Sequence, residues 1–236
     1  MIDAAVARPM GYPFAWRRAL TAIGWWQPFA GLIAMIVVGL LANAHDPVAQ
    51  IIGVSAVAGI GAMVGGIQGA YVFAPADDPS LELILSAPRP LRYLVFERLI
   101  VLAALNFAAA LIGAALFPVL APGMSTTGDQ LVRWFAPFVF MVGLGMVIGL
   151  VARRSNYGML IAVLLDGSML FGGAQLLVAR FEWAWVLHLF LPPEQYSPEQ
   201  IFVNRALLIG LGMAFIAYSM RLLRDEEPLI ASAQSD

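Results

Sequence analysis

The sequence predicts an all-α integral membrane protein of six transmembrane helices, with both chain ends in the cytoplasm. Three observations predict it. Of the 236 residues 61% are hydrophobic and 12% charged, against about 25% charged in a soluble domain. Mean hydropathy is +0.84. Apolar runs near the roughly 20 residues needed to cross a ~30 Å hydrocarbon core recur six times.

In order, the predicted spans are Trp25–Asn43, Gln50–Phe73, Tyr93–Leu120, Leu131–Ala152, Tyr157–Ala179 and Ile201–Leu222. The third is longer than a span needs, so its first turns fall in the interface. The chain reads as one transmembrane unit over 1–236, with no nucleotide-binding domain. The leading residues, broken by Pro9 and Pro13 and followed by Arg17 and Arg18, do not read as a signal peptide.

Orientation follows from arginine, which favours cytoplasmic loops. With the N-terminus inside, ten arginines (8, 17, 18, 89, 92, 98, 153, 154, 221 and 224) lie inside. Only Arg133, Arg180 and Arg205 lie outside. All 13 basic residues are Arg. A Walker A loop needs a lysine on the phosphates, so any ATPase is another chain. The absence of cysteine removes disulfides, thiol redox chemistry and Cys-ligated metals. A net charge of −2 gives no basic footprint for nucleic acid.

The short connectors at Asp46-Pro47, Pro122-Gly123 and Gly128-Asp129 read as turns. The link 152–156 is so short that spans four and five are neighbours. Three stretches are more than turns. In 8–24, Phe14, Trp16, Leu20 and Ile23 alternate with arginine as in a helix lying in the cytoplasmic interface. In 74–98, Asp78 can cap a short helix with Pro79 at its first position. Leu81, Ile84 and Leu85 then share one face, and Pro88 and Pro90 end it. In 180–200, Phe181, Trp183, Trp185, Phe190 and Tyr196 form a headgroup-level aromatic group broken by Pro192-Pro193. It reads as an interfacial or re-entrant element; anchoring is the plainer role and a lid the sharper one.

Polar residues within spans are few. Asp166 lies about ten residues into span five, where a carboxylate costs about 2.5–3.5 kcal/mol and should face the bundle or a water cavity. It is a candidate substrate or ion contact, or else an interhelical hydrogen-bonding group. Asn106 and Gln68 are weaker substrate-path candidates, with packing as the alternative. Gly61, Gly65 and Gly69 in span two, with Gly145 and Gly149 in span four, have the spacing of close helix packing. Packing within one bundle is the simpler use, and a dimer seam the other.

Enzymes are disfavoured. His45 and His188, the two histidines, fall in outer loops; Gly53-Val54-Ser55-Ala56 is a poor serine-protease match; only one Asp lies at membrane depth; and His-Glu-x-x-His is absent. No catalytic or metal site is assigned.

The stretch 77–99, DDPSLELILSAPRPLRYLVFERL, resembles the segment between spans two and three of the type-two ABC exporter permeases. There a short coupling helix and a Leu-Leu-Ser-x-Pro turn lead into span three; here the turn is Leu85-Ser86-Ala87-Pro88. The amphipathic 8–24 and the Pro-broken 180–200 resemble the family's N-terminal helix and small extracellular helices. Haem-exporter-like subunits share the stretch. The resemblance implies a multi-pass permease in the cell membrane, inner or plasma. It would pair with a second permease and sit on a separate ATP-binding subunit that holds ATP and Mg. It implies ATPase coupling through Asp78, Leu81, Glu82, Ile84, Leu85 and Arg89, and outward movement of a lipid, drug-like or peptide cargo. A secondary transporter or a membrane scaffold is the alternative.

Overall fold

A computed structural model describes residues 16–43, 45–74, 91–123, 125–170, 173–191 and 195–223. All regular structure among them is helical. The helices are α1 (Trp16–Ala22), α2 (Gln27–Gly39), α3 (Pro47–Val72), α4 (Leu91–Leu120), α5 (Thr127–Val151), α6 (Ser155–Leu170), α7 (Gly173–Arg180) and α8 (Pro198–Leu222). Short 3-10 turns cover Leu40–Asn43 and Glu182–Leu187.

Three helices, α4, α5 and α8, are each long and apolar enough to cross a membrane. In α3, Ala49–Ser55 and Val57–Val72 make a fourth apolar unit bent by 54°. The remaining expected spans are shorter. Span one is a 13-residue helix continued by a four-residue 3-10 turn. Span five divides into α6, of 16 residues, and α7, of eight. Large apolar side chains stand exposed on the outside of the bundle, including Ile33 and Val37 on α2, Phe96 and Phe107 on α4, and Phe202 and Met213 on α8. Such faces suit lipid as solvent.

α3 and α5 are the central pair. α3 packs against α2, α4, α5 and α6, and α5 packs against α3, α4, α6 and α8. Missing side chains make this possible. A methyl group on Gly145 would collide with the Gly66 carbonyl, and one on Gly69 with the Val142 carbonyl. One on Gly149 would sit 2.8 Å from the Ala70 oxygen. The same device seats α6, where Gly158 leaves no room before the Gly145 oxygen, and α8, where Gly212 lies on the Val139 carbonyl. The glycine spacing of spans two and four is therefore used within the bundle. Gly61 and Gly65 accept aromatic rings instead, Trp134 and Phe138, which stack with centroids 4.6 Å apart.

We call the end holding residues 40–43, 45–47, 120–123, 125–127, 181–191 and 195–197 distal and the opposite end proximal. At the proximal end, Gly24 takes φ +66°, a left-handed conformation cheap only for glycine, and turns α1 into α2. Ala19 and Ile23 of this corner are buried against Leu91, Val95 and Leu102 of α4. α1 is thus packed on α4. Gln68 of α3 donates to the Ile23 and Gly24 carbonyls at 3.1 and 3.2 Å. Asn106 of α4 donates to the Gln68 side-chain oxygen. Arg98 donates to the Val72 carbonyl at 2.8 Å, closing the C-terminal end of α3. Arg153 (φ +60°) makes the tight turn between α5 and α6, which are neighbours as the short link required.

At the distal end, two helices start earlier than hydropathy suggests. Gly128 and Asp129 are not a turn but the first turn of α5, because Thr126 and Asp129 form a reciprocal capping box. Ser197 and Gln200 form the same box with Pro198 at the first position, so Ser197-Pro198-Glu199 begins α8 itself.

Gly145→Val should lose about 1–3 kcal/mol of stability or fail to fold, since its neighbours are backbone and cannot yield. Gly210→Ala, with nothing near the added methyl, should be neutral or stabilising by up to about 1 kcal/mol. Thermal unfolding of both variants in one detergent checks the contrast.

Candidate binding cavity

The described residues enclose a cavity of about 360 Å³ at the distal end. Its geometry begins with the bend in α3. Ala49–Ser55 leaves the axis of Val57–Val72, and Gly53 is thereby pressed onto the backbone of Ala42. A bent helix leaves carbonyls short of donors. Here the fully buried Gln130 of α5 donates to the Val54 carbonyl at 3.0 Å, and to Ser125 Oγ at 2.8 Å. One wall is therefore the diverging segment, presenting Gln50, Ile51, Val54 and Ser55. Met169 and Leu170, at the end of α6, form part of the apolar lining.

The opposite wall is the chain after α7. The 3-10 turn Glu182–Leu187 hangs there by α8. Asn204 donates to the carbonyls of Trp185, Val186 and His188 at 3.2, 2.8 and 3.0 Å. Arg205 donates to the Leu189 carbonyl at 2.8 Å. Leu189 and Leu191 are buried, while Phe181 and Trp183 stay exposed. The aromatic start of the stretch is thus exposed, and residues 188–191 form a wall of the cavity.

Two guanidiniums, Arg133 and Arg205, line the cavity with His188, and no acidic side chain is among the described lining residues. His188 Nδ1 accepts from the Phe190 N–H at 3.1 Å, which puts the proton of the neutral ring on Nε2. Burial first, and the positive Arg205 second, hold this imidazole well below its usual range, at about 4. It is a neutral wall group at physiological pH.

Asp166 lies below this cavity. Ala162 packs at Gly66 and Leu170 at Gly59. Asp166, midway between them on α6, therefore sits at the level of Ala62. Its side chain is fully buried, and neither oxygen has a hydrogen-bond partner among the described residues. Gln68 and Asn106 are not beside it. Gln68 faces α1 and α4 from the other side of α3; its amide hydrogens go to the Ile23 and Gly24 carbonyls, and its oxygen accepts from Asn106 of α4, which also donates to the Leu102 carbonyl.

The residues Asp78, Leu81, Glu82, Ile84, Leu85 and Arg89 lie outside the described residues. Among the described residues no cluster of His, Asp and Glu could hold a metal ion. No family model, no curated protein and no solved structure matches the chain.

Two measurements test this geometry. A histidine depressed in the folded state stabilises above its unfolded value of 6.5 and loses that contribution as pH falls toward 4. Wild type should therefore lose up to about 3 kcal/mol between those limits relative to His188→Gln; parallel thermal scans across this window check it. Asp166→Asn should be at least as stable as wild type, since no described partner is lost and a desolvated carboxyl is removed. A large fall in its melting temperature would reveal a partner.

Proposed function

We propose that the chain is the membrane permease subunit of an ABC exporter. It spans the membrane six times with both ends cytoplasmic, and moves a lipid, drug-like or peptide cargo outward using ATP hydrolysed by a separate subunit. In this reading α2, α3, α4, α5, α6 with α7, and α8 are the six spans, and the distal end is extracellular. The chain itself is not an enzyme.

One observation carries the proposal. α1, and the described residues that flank the stretch the resemblance assigns to ATPase coupling, lie at one corner of the proximal end. α1 is packed on the first turns of α4, and residues 75–90 join Ala74 to Leu91, both buried next to that corner. A push on either would reach α4 directly. An apolar face of Leu81, Ile84 and Leu85 would fit a groove on the ATPase; Asp78, Glu82 and Arg89 would orient it. A second permease copy would meet lipid-facing surface such as that of α8.

A secondary transporter working alone is the second reading, favoured by Asp166. A buried carboxyl without a described partner suits a proton or ion site.

Purification of the tagged protein in mild detergent should bring down a stoichiometric chain bearing a P-loop, and Leu81→Asp with Ile84→Asp should reduce its recovery at least tenfold. In reconstituted vesicles Glu82→Arg should lower transport while ATP hydrolysis continues. An ATPase-free protein across several gentle detergents, with transport abolished by Asp166→Asn, would replace this proposal by the second reading.

A further inference from the structure

Asp166 of α6 is fully buried, and both of its oxygens lack a hydrogen-bond partner among the described residues. A carboxylate taken out of water needs a counter-charge, a set of donors, or a proton. The described surroundings supply neither of the first two. α3, α5 and α7 pack on α6. α3 carries no charged side chain, and its phenol, Tyr71, lies at the proximal end. α5 carries Asp129 and Arg133 near its distal start. α7 carries Arg180, its last residue, and α6 itself adds Tyr157 at its proximal start. α8, on the other flank of α5, carries Glu199, Arg205, Tyr218 and Arg221. Arg133 and Arg205 line the distal cavity with His188, alongside Met169 and Leu170, and none of the three bonds to Asp166.

A hard cation is no better served. Calcium and magnesium take about six or more oxygen ligands, and no further Asp, Glu or His among the described residues joins Asp166 in a cluster. A proton needs only the carboxyl itself. A route to it is also at hand. Asp166, Met169 and Leu170 stand at i, i+3 and i+4 on α6 and so share a face. Met169 and Leu170 line the cavity of about 360 Å³, which has room for several waters. One helical turn therefore separates the carboxyl from that space.

We infer that Asp166 is a reversible proton site: it rests as a neutral carboxylic acid inside the bundle and exchanges its proton through the distal cavity, past Met169 and Leu170. Release passes the proton from the carboxyl oxygen to a water in the cavity and leaves a carboxylate, which the closed bundle does not stabilise. Loss of the proton and opening of the Met169–Leu170 layer are thus linked. The inference rests on the reading of Asp166 as a proton or ion site, which it deepens by naming the proton and its route. It does not depend on what energises the chain.

The test uses the purified full chain in neutral detergent at neutral pH, without any ATPase. Infrared spectra of wild type should contain the C=O band of a protonated carboxyl, and Asp166→Asn should lack it. The other described aspartates, Asp46 and Asp129, are exposed and supply no such band. If Asp166→Asn fails to fold, isotopically labelled aspartate in wild type should shift the same band. In heavy water the band should move as deuterium replaces the proton. Val54→Phe, which fills the cavity, should slow that change at least tenfold, and Ile33→Phe, on the exposed face of α2, should not. Ile51→Trp replaces Val54→Phe if the latter fails to fold. Sodium, potassium and calcium at fixed pH should leave the band in place. Its loss to any of these cations overturns the proton but keeps an ion at Asp166; its absence with no cation effect removes both. A band that Asp166→Asn retains or labelled aspartate does not shift, or exchange equally fast with the cavity filled, also overturns the inference.

Discussion

The backbone contact between α3 and α5 is the constraint on which the rest depends. Lipid tails are as apolar as leucine, so helices in a bilayer gain little from hiding apolar surface from one another; they gain from close packing. Gly66, Gly69 and Ala70 on one helix, with Gly145 and Gly149 on the other, bring main chains into contact where any side chain would hold them apart. Once the two axes are that close, the neighbours have little choice. Gly158 lets α6 lie in the groove beside both, and Gly143 with Gly212 brings α8 onto the other flank of α5. The larger side chains fill what is left, Trp134 and Phe138 wedged against Gly61 and Gly65.

Polar side chains then fasten what the seam positions, and most do so in one way. An amide or guanidinium on one helix donates to carbonyls at an end or bend of another. Gln68 closes the α1 corner, Arg98 the end of α3, Gln130 the bend of α3, Asn43 the end of α4, and Asn204 the turn before α8. Helix ends leave carbonyls without intrahelical partners, and lipid cannot supply any. These residues supply donors for them. The logic explains why so many buried polar groups in this chain belong to Gln, Asn and Arg, and why their presence in a span is weak evidence of a transport path.

Much of this was legible in the sequence, for physical reasons. Hydropathy registers any long apolar run, so the positions of α3, α4, α5 and α8 emerge within a few residues. The glycine spacing could be read because close approach needs small residues at every fourth position. Asp166 stood out because a carboxyl at depth is expensive. The distal end was less legible. Thr126 with Asp129 carried a capping signal three residues apart that the turn-forming Gly128 obscured, whereas Ser197-Pro198-Glu199 does read as a helix start, which proves to be that of α8 itself. The bend in α3 contains no proline and depends on Gln130, which is far away in sequence. Arg133 and Arg205, 72 positions apart, look like ordinary loop charges until the fold brings them to one cavity. Nothing local says that Asn204 would clamp a segment 16 to 19 residues earlier.

The two kinds of charge near the distal end are kept apart, and the separation is informative. Asp166 precedes Met169 and Leu170 by three and four positions on α6, so all three fall on neighbouring parts of one face. Met169 and Leu170 line the cavity; Asp166 lies one turn deeper, and Arg133 and Arg205 enter from the distal side. An apolar layer thus stands between the carboxyl and the guanidiniums. Asp166 is fully buried while both guanidiniums are only half-buried, so the cost of desolvation falls mainly on the carboxyl.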